Sequence, residues 1–178
     1  PTAAYKSFTE KKLACDYLKN HTFPVVIKAS GLAAGKGVTI ATSLNDGLLA
    51  VNDIFNDKFG SGCELVIEEF MDGEEASYFV FTDGTNYIPL SSAQDHKRIG
   101  DGDTGPNTGG MGAYSPAPVF TKEIQKQVDQ EMIEPTLKAM RDLGSPYQGI
   151  LYAGVMIKNN KAKLVEYNVR FGDPECQV

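Results

Sequence analysis

A glycine-rich segment between two β-branched runs constrains the first part of this chain more than any other feature. Residues 25–40 spell Val-Val-Ile-Lys-Ala-Ser-Gly-Leu-Ala-Ala-Gly-Lys-Gly-Val-Thr-Ile, which predicts a strand, a glycine loop and a second strand. Gly31, Gly35 and Gly37 lack a Cβ, so the loop backbone can take positive φ and turn its N–H groups toward phosphate oxygens. Lys28 and Lys36 add positive charge. We therefore predict a phosphate-binding flap between two antiparallel strands.

Two common phosphate loops do not fit this segment. A Walker loop has four residues between its first glycine and Gly-Lys-Ser/Thr and then opens a helix, whereas here three residues separate Gly31 from Gly35 and a strand-like run follows. The dinucleotide fingerprint Gly-x-Gly-x-x-Gly does not occur in the segment either. An ordinary glycine-rich hairpin is the alternative. Hairpin turns usually take two to five residues, however, and a lysine in an apolar strand needs an anion.

Length, charge and cysteine content limit the class of protein. The 178 residues can form one core or two small subdomains, and the 42% hydrophobic content is ordinary for a globular protein. The net charge of -6 argues against nonspecific nucleic-acid binding, and the apolar runs are too short to span a bilayer. The cysteines Cys15, Cys63 and Cys176 are odd in number and lack metal-ligand spacing, which favours a reducing compartment. We expect a cytoplasmic protein without nucleic-acid or membrane partners.

The hydrophobic periodicity predicts two α+β lobes. Capping boxes at Ser7/Glu10 and Ser43/Asp46 predict two helix starts. The turn signal Asp72-Gly73 follows a strand-like run at 64–71, so we place the lobe boundary there, with a small lobe at 1–72 and a large lobe at 73–178. In the large lobe we expect strands at 76–82, 87–91, 149–157 and 162–169, and a helix over 121–143 that Pro135 kinks or divides. Asn159-Asn160, a turn that tolerates positive φ, joins the last two strands.

The segment 65–75 is the predicted connection between the lobes, a place where nucleotides commonly bind. The backbone at a strand end offers N–H and C=O groups to an adenine edge, and two apolar side chains here can pack on the ring. Solvated carboxylates at a strand end are the alternative. We predict nucleotide contacts from Glu68, Glu69, Phe70, Met71 and Glu75.

Residues 94–118 form the longest polar irregular segment of the sequence. A loop of this length inside a compact domain is usually functional or disordered. Asp95, Lys97 and Arg98 at its start, and the later run Asn107–Gly112, suit a phosphate and sugar hydroxyls. We predict a substrate loop here, with His96 as either a ligand contact or a hydrogen-bonding loop residue.

The last strand carries a candidate metal site. In Lys163–Arg170, alternation predicts Leu164, Glu166, Asn168 and Arg170 on one face. Carboxylate and amide oxygens suit Mg²⁺, with phosphate oxygens completing its shell, and a guanidinium can steady a transferring phosphoryl group. A plain solvent-facing strand would have a similar pattern. We predict Glu166 and Asn168 as metal ligands and Arg170 as a catalytic residue.

Together these motifs resemble the ATP-grasp enzymes, through Lys28 with the Gly31–Gly37 flap, the Glu-Glu-Phe-Met linker at 68–71 and Glu-x-Asn-x-Arg at 166–170. Within that superfamily, three longer motifs closely resemble the phosphoribosylamine–glycine ligase family. They are Asp-His-Lys-Arg at 95–98, Gly-Pro-Asn-Thr-Gly-Gly-Met-Gly-Ala-Tyr at 105–114 and Asn-Val-Arg-Phe-Gly-Asp-Pro-Glu at 168–175. The resemblance covers essentially the whole chain.

The resemblance implies an α+β ATP-grasp fold in which two lobes with mainly antiparallel sheets enclose ATP. It implies Lys28 at the phosphates, Glu68 to Met71 at the adenine, Glu75 at the ribose, and Mg²⁺, or Mn²⁺ in its place, on Glu166 and Asn168. Many ATP-grasp enzymes carry a further acidic metal ligand on the preceding strand, where this chain has Val-Met-Ile at 155–157. The contacts to ATP or to the ribose phosphate substrate would come from Asp95, Lys97, Arg98, Asn107, Thr108, Gly109, Gly110, Met111, Arg170, Gly172 and Asp173.

The activity that the resemblance implies is a ligase reaction of purine biosynthesis. ATP would phosphorylate the carboxylate of glycine, and the amine of 5-phosphoribosylamine would attack the glycyl phosphate to give glycinamide ribonucleotide, ADP and phosphate, with Lys28 and Arg170 as catalytic residues. The alternatives are another ATP-grasp carboxylate–amine ligase and an ATP-binding piece without turnover. Because the chain begins at Pro1 and ends just after its densest polar motif, we expect N- and C-terminal domains of a longer protein beside it. Fusion to other purine-synthesis domains stays open.

Overall fold

The chain forms two α+β units with antiparallel sheets, as the predicted fold class requires. The computed structural model describes residues 1–30, 37–56, 64–102, 104–108 and 110–178, apart from the side chains of Pro106 and Asn107. The contacts divide the chain into an N-terminal unit, Ala3–Met71, and a C-terminal unit, Asp72–Val178 with Pro1–Thr2. None of the described helices is both long and apolar enough to cross a membrane.

The N-terminal unit is a four-stranded sheet with two helices. In chain order its elements are β1 (Tyr5–Phe8), α1 (Lys11–Lys19), β2 (Val25–Ser30), β3 (Val38–Ala41), α2 (Leu44–Phe55) and β4 (Glu64–Glu69). The strands lie in the order β1-β4-β2-β3, and every pair is antiparallel. Its buried core contains Val25 and Ile27 of β2, Leu65 and Ile67 of β4, and Val51 of α2. The two strands predicted around the glycine segment are therefore confirmed as β2 and β3.

Of the two predicted helix caps, one is confirmed and the other is wrong. Ser43 precedes α2, and its Oγ accepts a hydrogen bond from the backbone N–H of Asp46 at 3.2 Å. Ser7 instead lies in β1 opposite Val66, and α1 begins after Glu10, whose side chain makes no capping hydrogen bond. Pairing with a strand distant in sequence places Ser7 in the sheet, and a local signal does not contain that information.

The C-terminal unit is built on a longer sheet. Its elements are β5 (Glu74–Thr82), β6 (Tyr87–Pro89), β7 (Gln94–Asp95), β8 (Arg98–Gly100), β9 (Thr104–Asn107), β10 (Ala113–Tyr114), α3 (Lys122–Val128), a π-helical turn (Asp129–Ile133), α4 (Glu134–Asp142), β11 (Gly149–Lys158), β12 (Lys161–Asn168) and a 3-10 turn (Glu175–Gln177). The main sheet has the order β12-β11-β5-β6, again antiparallel throughout.

Two turn predictions in this unit are confirmed. Asn159 and Asn160 have φ of 51° and 58° between β11 and β12, as a tight hairpin with two left-handed residues requires. The helix predicted over 121–143 is divided by the π-helical turn that ends two residues before Pro135. Proline has no N–H to give to the preceding turn, and a π turn accommodates that loss.

The segment 94–118 has more structure than its composition indicates. Gln94–Asp95 pairs with Ala113–Tyr114, and Arg98–Gly100 pairs with Thr104–Asn107. The prediction of an irregular loop is therefore wrong: short antiparallel ladders hold it. Strands of two to four residues are too short to show an alternating pattern, so the sequence gives no signal for them.

The two faces of the main sheet differ in chemistry. Ala76, Tyr78 and Val80 of β5 point to the helices and form the core with Leu151, Ala153 and Val155 of β11. Because successive side chains alternate, Glu75, Ser77 and Phe79 of β5 and Tyr152 and Gly154 of β11 belong to the opposite face. This opposite face also carries a small buried cluster of Phe79, Ala93 and Tyr152. We call it the polar face, after Glu75 and Ser77.

Candidate active site

Glu166 and Asn168 lie together on the polar face. Across the sheet, Glu166 is opposite Gly154, which is opposite Ser77, while Asn168 is opposite Tyr152 in the next row. Asn168 Nδ2 donates to Glu166 Oε1 at 3.1 Å. A Cβ at Gly154 would lie 3.7 Å from Glu166 Cγ, an ordinary van der Waals distance, so the glutamate side chain passes directly beside Gly154. Their spacing of two residues on β12 thus places the two predicted metal ligands on one face, and the register sets Gly154 and Tyr152 opposite them.

The strict alternation predicted for the last strand is wrong at one residue. The register of β11 with β12 shifts between Gly154 and Val155, because Gly154 is opposite Glu166 while Val155 is opposite Leu164. Leu164 consequently packs against the helix-side core instead of sharing the face of Glu166. A β-bulge of this kind reverses the side-chain alternation on the bulged strand. Arg170 lies beyond the end of β12, exposed, with Nη1 donating to the carbonyl of Phe171 at 2.8 Å.

The donor set on the polar face fits a hard divalent cation. Within the described ranges, no three His, Cys, Asp or Glu side chains lie close enough together to hold a metal ion. Glu166 and Asn168 supply oxygen donors, which Mg²⁺ and Mn²⁺ prefer, and these cations commonly take their other ligands from phosphate and water. Two protein donors are therefore compatible with a cation that arrives with a phosphorylated substrate.

Lys97 and Glu75 form an ion pair in the C-terminal unit. Lys97 Nζ lies 3.0 Å from Glu75 Oε1, and each side chain is about one third exposed. Burial lowers the pKa of the Lys97 ammonium, but Glu75, Tyr152 and Asp95 together outweigh burial and leave that pKa raised. Lys97 therefore stays charged, and Glu75, which was predicted at a ribose, has a cation as its partner here.

Asp95 has an oxygen without a partner. Its Oδ1 is the one described side-chain N or O atom that is fully shielded from solvent and makes no hydrogen bond. Burial raises the pKa of Asp95, against the opposing charge of Lys97, and Glu175 and Glu75 raise it further. An unsatisfied buried carboxylate oxygen is costly to the fold, so this position has unused capacity to accept a hydrogen bond.

The described part of the glycine-rich substrate segment is tied to the residues around Lys97. The backbone N–H and Oγ1 of Thr108 both donate to the carbonyl of Lys97, at 2.6 and 2.8 Å. Gly110 N donates to Thr108 Oγ1 at 3.1 Å, and Met111 N donates to the carbonyl of His96 at 2.7 Å. A cavity of about 270 Å³ next to it is lined by His96, Arg98 and Met111, among others. Five predicted substrate-binding residues are therefore neighbours: Lys97, Arg98, Thr108, Gly110 and Met111.

Three side chains that the sequence analysis did not single out form a buried triangle on the polar face. Ser77 Oγ and Tyr152 Oη each donate to Glu175 Oε1 at 2.9 Å, and the two hydroxyl oxygens are 2.9 Å apart. All three residues are at most 5% exposed. Glu175 closes the last quoted motif, which was a usable signal, whereas the roles of Ser77 and Tyr152 depend on strand register.

The predicted nucleotide residues of the N-terminal unit lie on β2, β4 and the segment after them. Lys28 Nζ lies 2.7 Å from Glu68 Oε2. Glu69 N donates to the carbonyl of Ala4 at 2.8 Å, while Phe70 and Met71 follow the end of β4. The carbonyl of Gly37 accepts a hydrogen bond from Ala29 N at 2.9 Å. Gly31, Gly35, Lys36 and Gly109, and the side chain of Asn107, lie outside the described residues.

Comparison with known families identifies relatives over the full length of the chain. Residues 1–176 match the family described as phosphoribosylglycinamide synthetase, ATP-grasp (A) domain. The chain is 56% identical over 179 residues to a phosphoribosylamine–glycine ligase of Rhizobium meliloti, covering 100% of the chain and 42% of that protein. It is 58% identical over 182 residues to the chloroplastic phosphoribosylamine–glycine ligase of Arabidopsis thaliana, covering 100% of the chain and 34% of that protein. It thus spans less than half of either curated relative.

A solved structure agrees with these sequence matches. The crystal structure of a phosphoribosylamine–glycine ligase from Thermotoga maritima superposes with a TM-score of 0.90 at 35% identity. The superposition covers 99% of this chain and 45% of that one. The fold described above is therefore that of an ATP-grasp domain.

Proposed function

Because this chain belongs to the phosphoribosylglycinamide synthetase ATP-grasp (A) domain family, we propose that it is the nucleotide-binding part of a ligase that joins glycine to 5-phosphoribosylamine. The products would be glycinamide ribonucleotide, ADP and phosphate, an early step of purine biosynthesis. The match of residues 1–176 to this one family carries the proposal. The hydrogen bond between Asn168 and Glu166, which brings two oxygen donors together on one face of the sheet, supports it chemically.

The proposed reaction divides a difficult acylation into two steps. A carboxylate is a poor electrophile, so the γ-phosphoryl group of ATP is first transferred to the carboxylate oxygen of glycine. The amine of phosphoribosylamine then attacks the glycyl carbon and displaces phosphate, and the amine gives up a proton. Neither step needs a covalent bond to the protein. The protein contributes positioning and charge neutralisation.

Individual residues have the following proposed roles. Lys28 binds phosphate oxygens, Arg170 stabilises the charge on the transferring phosphoryl group, and Glu68 to Met71 contact the adenine. The segment around Lys97, Arg98, Thr108 and Met111 binds the ribose phosphate or glycine, together with Asp95, Gly110, Gly172 and Asp173. Glu166 and Asn168 would hold the divalent cation, which neutralises phosphate charge when bound. We propose Mg²⁺, with Mn²⁺ as a substitute.

We further propose that the chain binds nucleotide by itself and that turnover needs more of the longer protein. The curated relatives named above are more than twice as long as the chain, and the remaining parts of such a protein can complete the amine site. Cys15 and Cys176 carry free thiols, which supports our proposal of a reducing compartment, the cytoplasm.

A coupled assay of ADP release tests the proposal in the full-length protein that carries this domain. We expect ADP release that requires both glycine and phosphoribosylamine. Arg170→Ala should lower kcat by about a hundredfold or more, while Arg141→Ala, which removes a guanidinium on the helix side of the unit, should leave kcat nearly unchanged. ADP release without glycine dependence would contradict the function. Unchanged turnover in Arg170→Ala would remove that residue from the mechanism and leave the function standing.

A further inference from the structure

We propose that Glu175 is a positioning residue, which holds residues 170–174 and the segment Thr108–Met111 in place beside the Glu166–Asn168 pair. The inference rests on the proposed function and adds to it a residue outside the predicted site. Glu175 would act through Ser77 and Tyr152 on the sheet and through Gly172 in its own segment, without touching substrate.

The hydrogen bonds of Glu175 attach the end of the chain to the centre of the sheet. One carboxylate oxygen accepts from Ser77 on β5 and from Tyr152 on β11, each at 2.9 Å. A hydroxyl has a single proton, so the two hydroxyls have two protons for three contacts, and with both protons on the carboxylate the Ser77–Tyr152 contact has none. The carboxylate is the acceptor that both hydroxyls share, and without it the two buried hydroxyls would have only each other among the described residues.

The backbone around Glu175 is closely packed. A Cβ at Gly172 would collide with the Glu175 carboxylate, and the carbonyl of Gly172 accepts a hydrogen bond from Cys176 N at 3.1 Å. A Cβ at Gly110 would lie 2.8 Å from Cδ of Pro174. Gly172 therefore packs directly against the Glu175 carboxylate, and Gly110 of the substrate segment packs directly against Pro174. One anchored side chain fixes both predicted substrate-binding segments.

The two anchoring hydroxyls belong to residues next to the metal pair. Tyr152 is directly opposite Asn168, and Ser77 is in the same cross-strand row as Gly154 and Glu166. Displacement of Tyr152 or Ser77 would shift neighbours of Glu166 and Asn168 on the same face. The charge of Glu175 also reaches the substrate segment, since it contributes to raising the pKa of Asp95.

A role in packing alone would favour a different side chain. Glu175 is 5% exposed, and a carboxylate that deep is costly unless its hydrogen bonds are well placed. An apolar side chain would fill the space but could not fix the direction of two hydroxyls on two strands. Geometric precision is what a ligase site requires, because small misplacements of reacting groups strongly reduce rate.

The test uses four variants of the full-length protein. Glu175→Ala removes the acceptor, and Tyr152→Phe removes one donor. Glu175→Gln keeps a carbonyl oxygen that can accept from both hydroxyls. The matched control is Tyr78→Phe, since Tyr78 lies on β5 beside β11, is equally buried, and donates to Asp129 Oδ1 at 2.8 Å on the helix side of the same sheet. Circular dichroism checks that each variant is folded.

Two measurements separate positioning from general stability. Hydrogen exchange should show lower protection at residues 108–112 and 170–174 in Glu175→Ala and Tyr152→Phe, with no change there in Tyr78→Phe. The value of kcat/KM for glycine should fall about tenfold or more in Glu175→Ala, recover most of that loss in Glu175→Gln, and stay within about twofold in Tyr78→Phe. Affinity for ADP, measured by calorimetry, should stay within about twofold in all four.

The outcomes distinguish a failure of the positioning role from a failure of the proposed function. Unchanged exchange in both segments for a folded Glu175→Ala or Tyr152→Phe protein would overturn the positioning role, whatever the activity. So would an equal loss of kcat/KM in Tyr78→Phe and Tyr152→Phe, because it would indicate general packing. If the wild-type protein shows no glycine-dependent ADP release, the proposed function fails, and the exchange data alone decide whether Glu175 holds the two segments.

Discussion

Lys28 Nζ lies 2.7 Å from Glu68 Oε2 on the neighbouring strand, and both side chains are only about one fifth exposed. The anion that the apolar strand needs at Lys28 is therefore present within the same sheet. Val26 of β2 is opposite Glu68 of β4, so the pair joins diagonal neighbours on one face. A phosphate at Lys28 would have to compete with this carboxylate or share the lysine with it.

We expect a measurable coupling energy between these two charges. In a double-mutant cycle of Lys28→Met and Glu68→Gln, unfolding by urea should give a coupling of about 1 kcal/mol, since partial burial reduces solvent screening. The matched control is Lys19 with Asp16, an ion pair of 2.8 Å whose side chains are about half exposed. That cycle should give a much smaller value. Equal couplings in the two cycles would show that burial does not strengthen the Lys28–Glu68 pair.

The sequence predicted the features of this chain that depend on adjacent residues. It did not predict the features that depend on pairing between strands distant in sequence. The Asn159-Asn160 turn, the Ser43 cap and the division of the helix before Pro135 each depend on a few adjacent residues, so the sequence contains the full cause. The bulge in β12 and the recruitment of Ser7 into β1 depend on which strand lies alongside. The same limit applies to the site: Glu166 and Asn168 share a face by spacing, while the Ser77–Tyr152–Glu175 triangle needs three distant segments in register.

The contact between Gly110 and Pro174 leads to a second prediction about stability. Gly110 has φ of +122°, and a Cβ there would lie 2.8 Å from Pro174 Cδ, so Gly110→Ala suffers both backbone strain and a collision. Gly102 has φ of +67° and nothing within 4 Å of its Cβ position. We expect Gly110→Ala to lower the free energy of unfolding by about 2–3 kcal/mol and Gly102→Ala by about 1 kcal/mol. Urea denaturation measures both, and equal losses would show that the Pro174 contact yields without cost.

The Glu166–Asn168 pair leads to a prediction about metal affinity. Glu166→Gln should weaken the binding of Mn²⁺ in the presence of ADP by about tenfold, because a charged oxygen donor is replaced by a neutral amide. Electron paramagnetic resonance of free Mn²⁺ measures the affinity directly. Glu131→Gln is the control, since Glu131 is exposed on the π-helical turn, on the helix side of the sheet, and accepts a hydrogen bond from the nearby Gln127 Nε2 at 3.0 Å. Equal affinities in wild type and Glu166→Gln would exclude Glu166 as a ligand.

The unpartnered oxygen of Asp95 predicts an unusual dependence of stability on pH. Burial raises the folded-state pKa of Asp95 above its ordinary value of 3.8, so the folded state holds this proton more tightly than the unfolded state does. The stability that Asp95 contributes is therefore complete below pH 3.8 and is lost as the pH rises through the raised pKa. Asp95→Asn does not titrate and escapes that loss. Its free energy of unfolding should improve relative to wild type as the pH rises from 3 to 7.

Asp72 provides the control of opposite sign. Its carboxylate accepts a hydrogen bond from Lys158 Nζ at 2.5 Å, and that contact lowers its pKa below 3.8. The stability from Asp72 is present above pH 3.8 and is lost as the pH falls through the lowered pKa. The free energy of unfolding of Asp72→Asn should therefore decrease relative to wild type as the pH rises from 3 to 7. Urea unfolding of the two variants and wild type at several pH values between 3 and 7 measures both trends. Parallel curves for Asp95→Asn and wild type would mean that Asp95 has the same affinity for its proton in both states and that burial of Oδ1 does not raise its pKa.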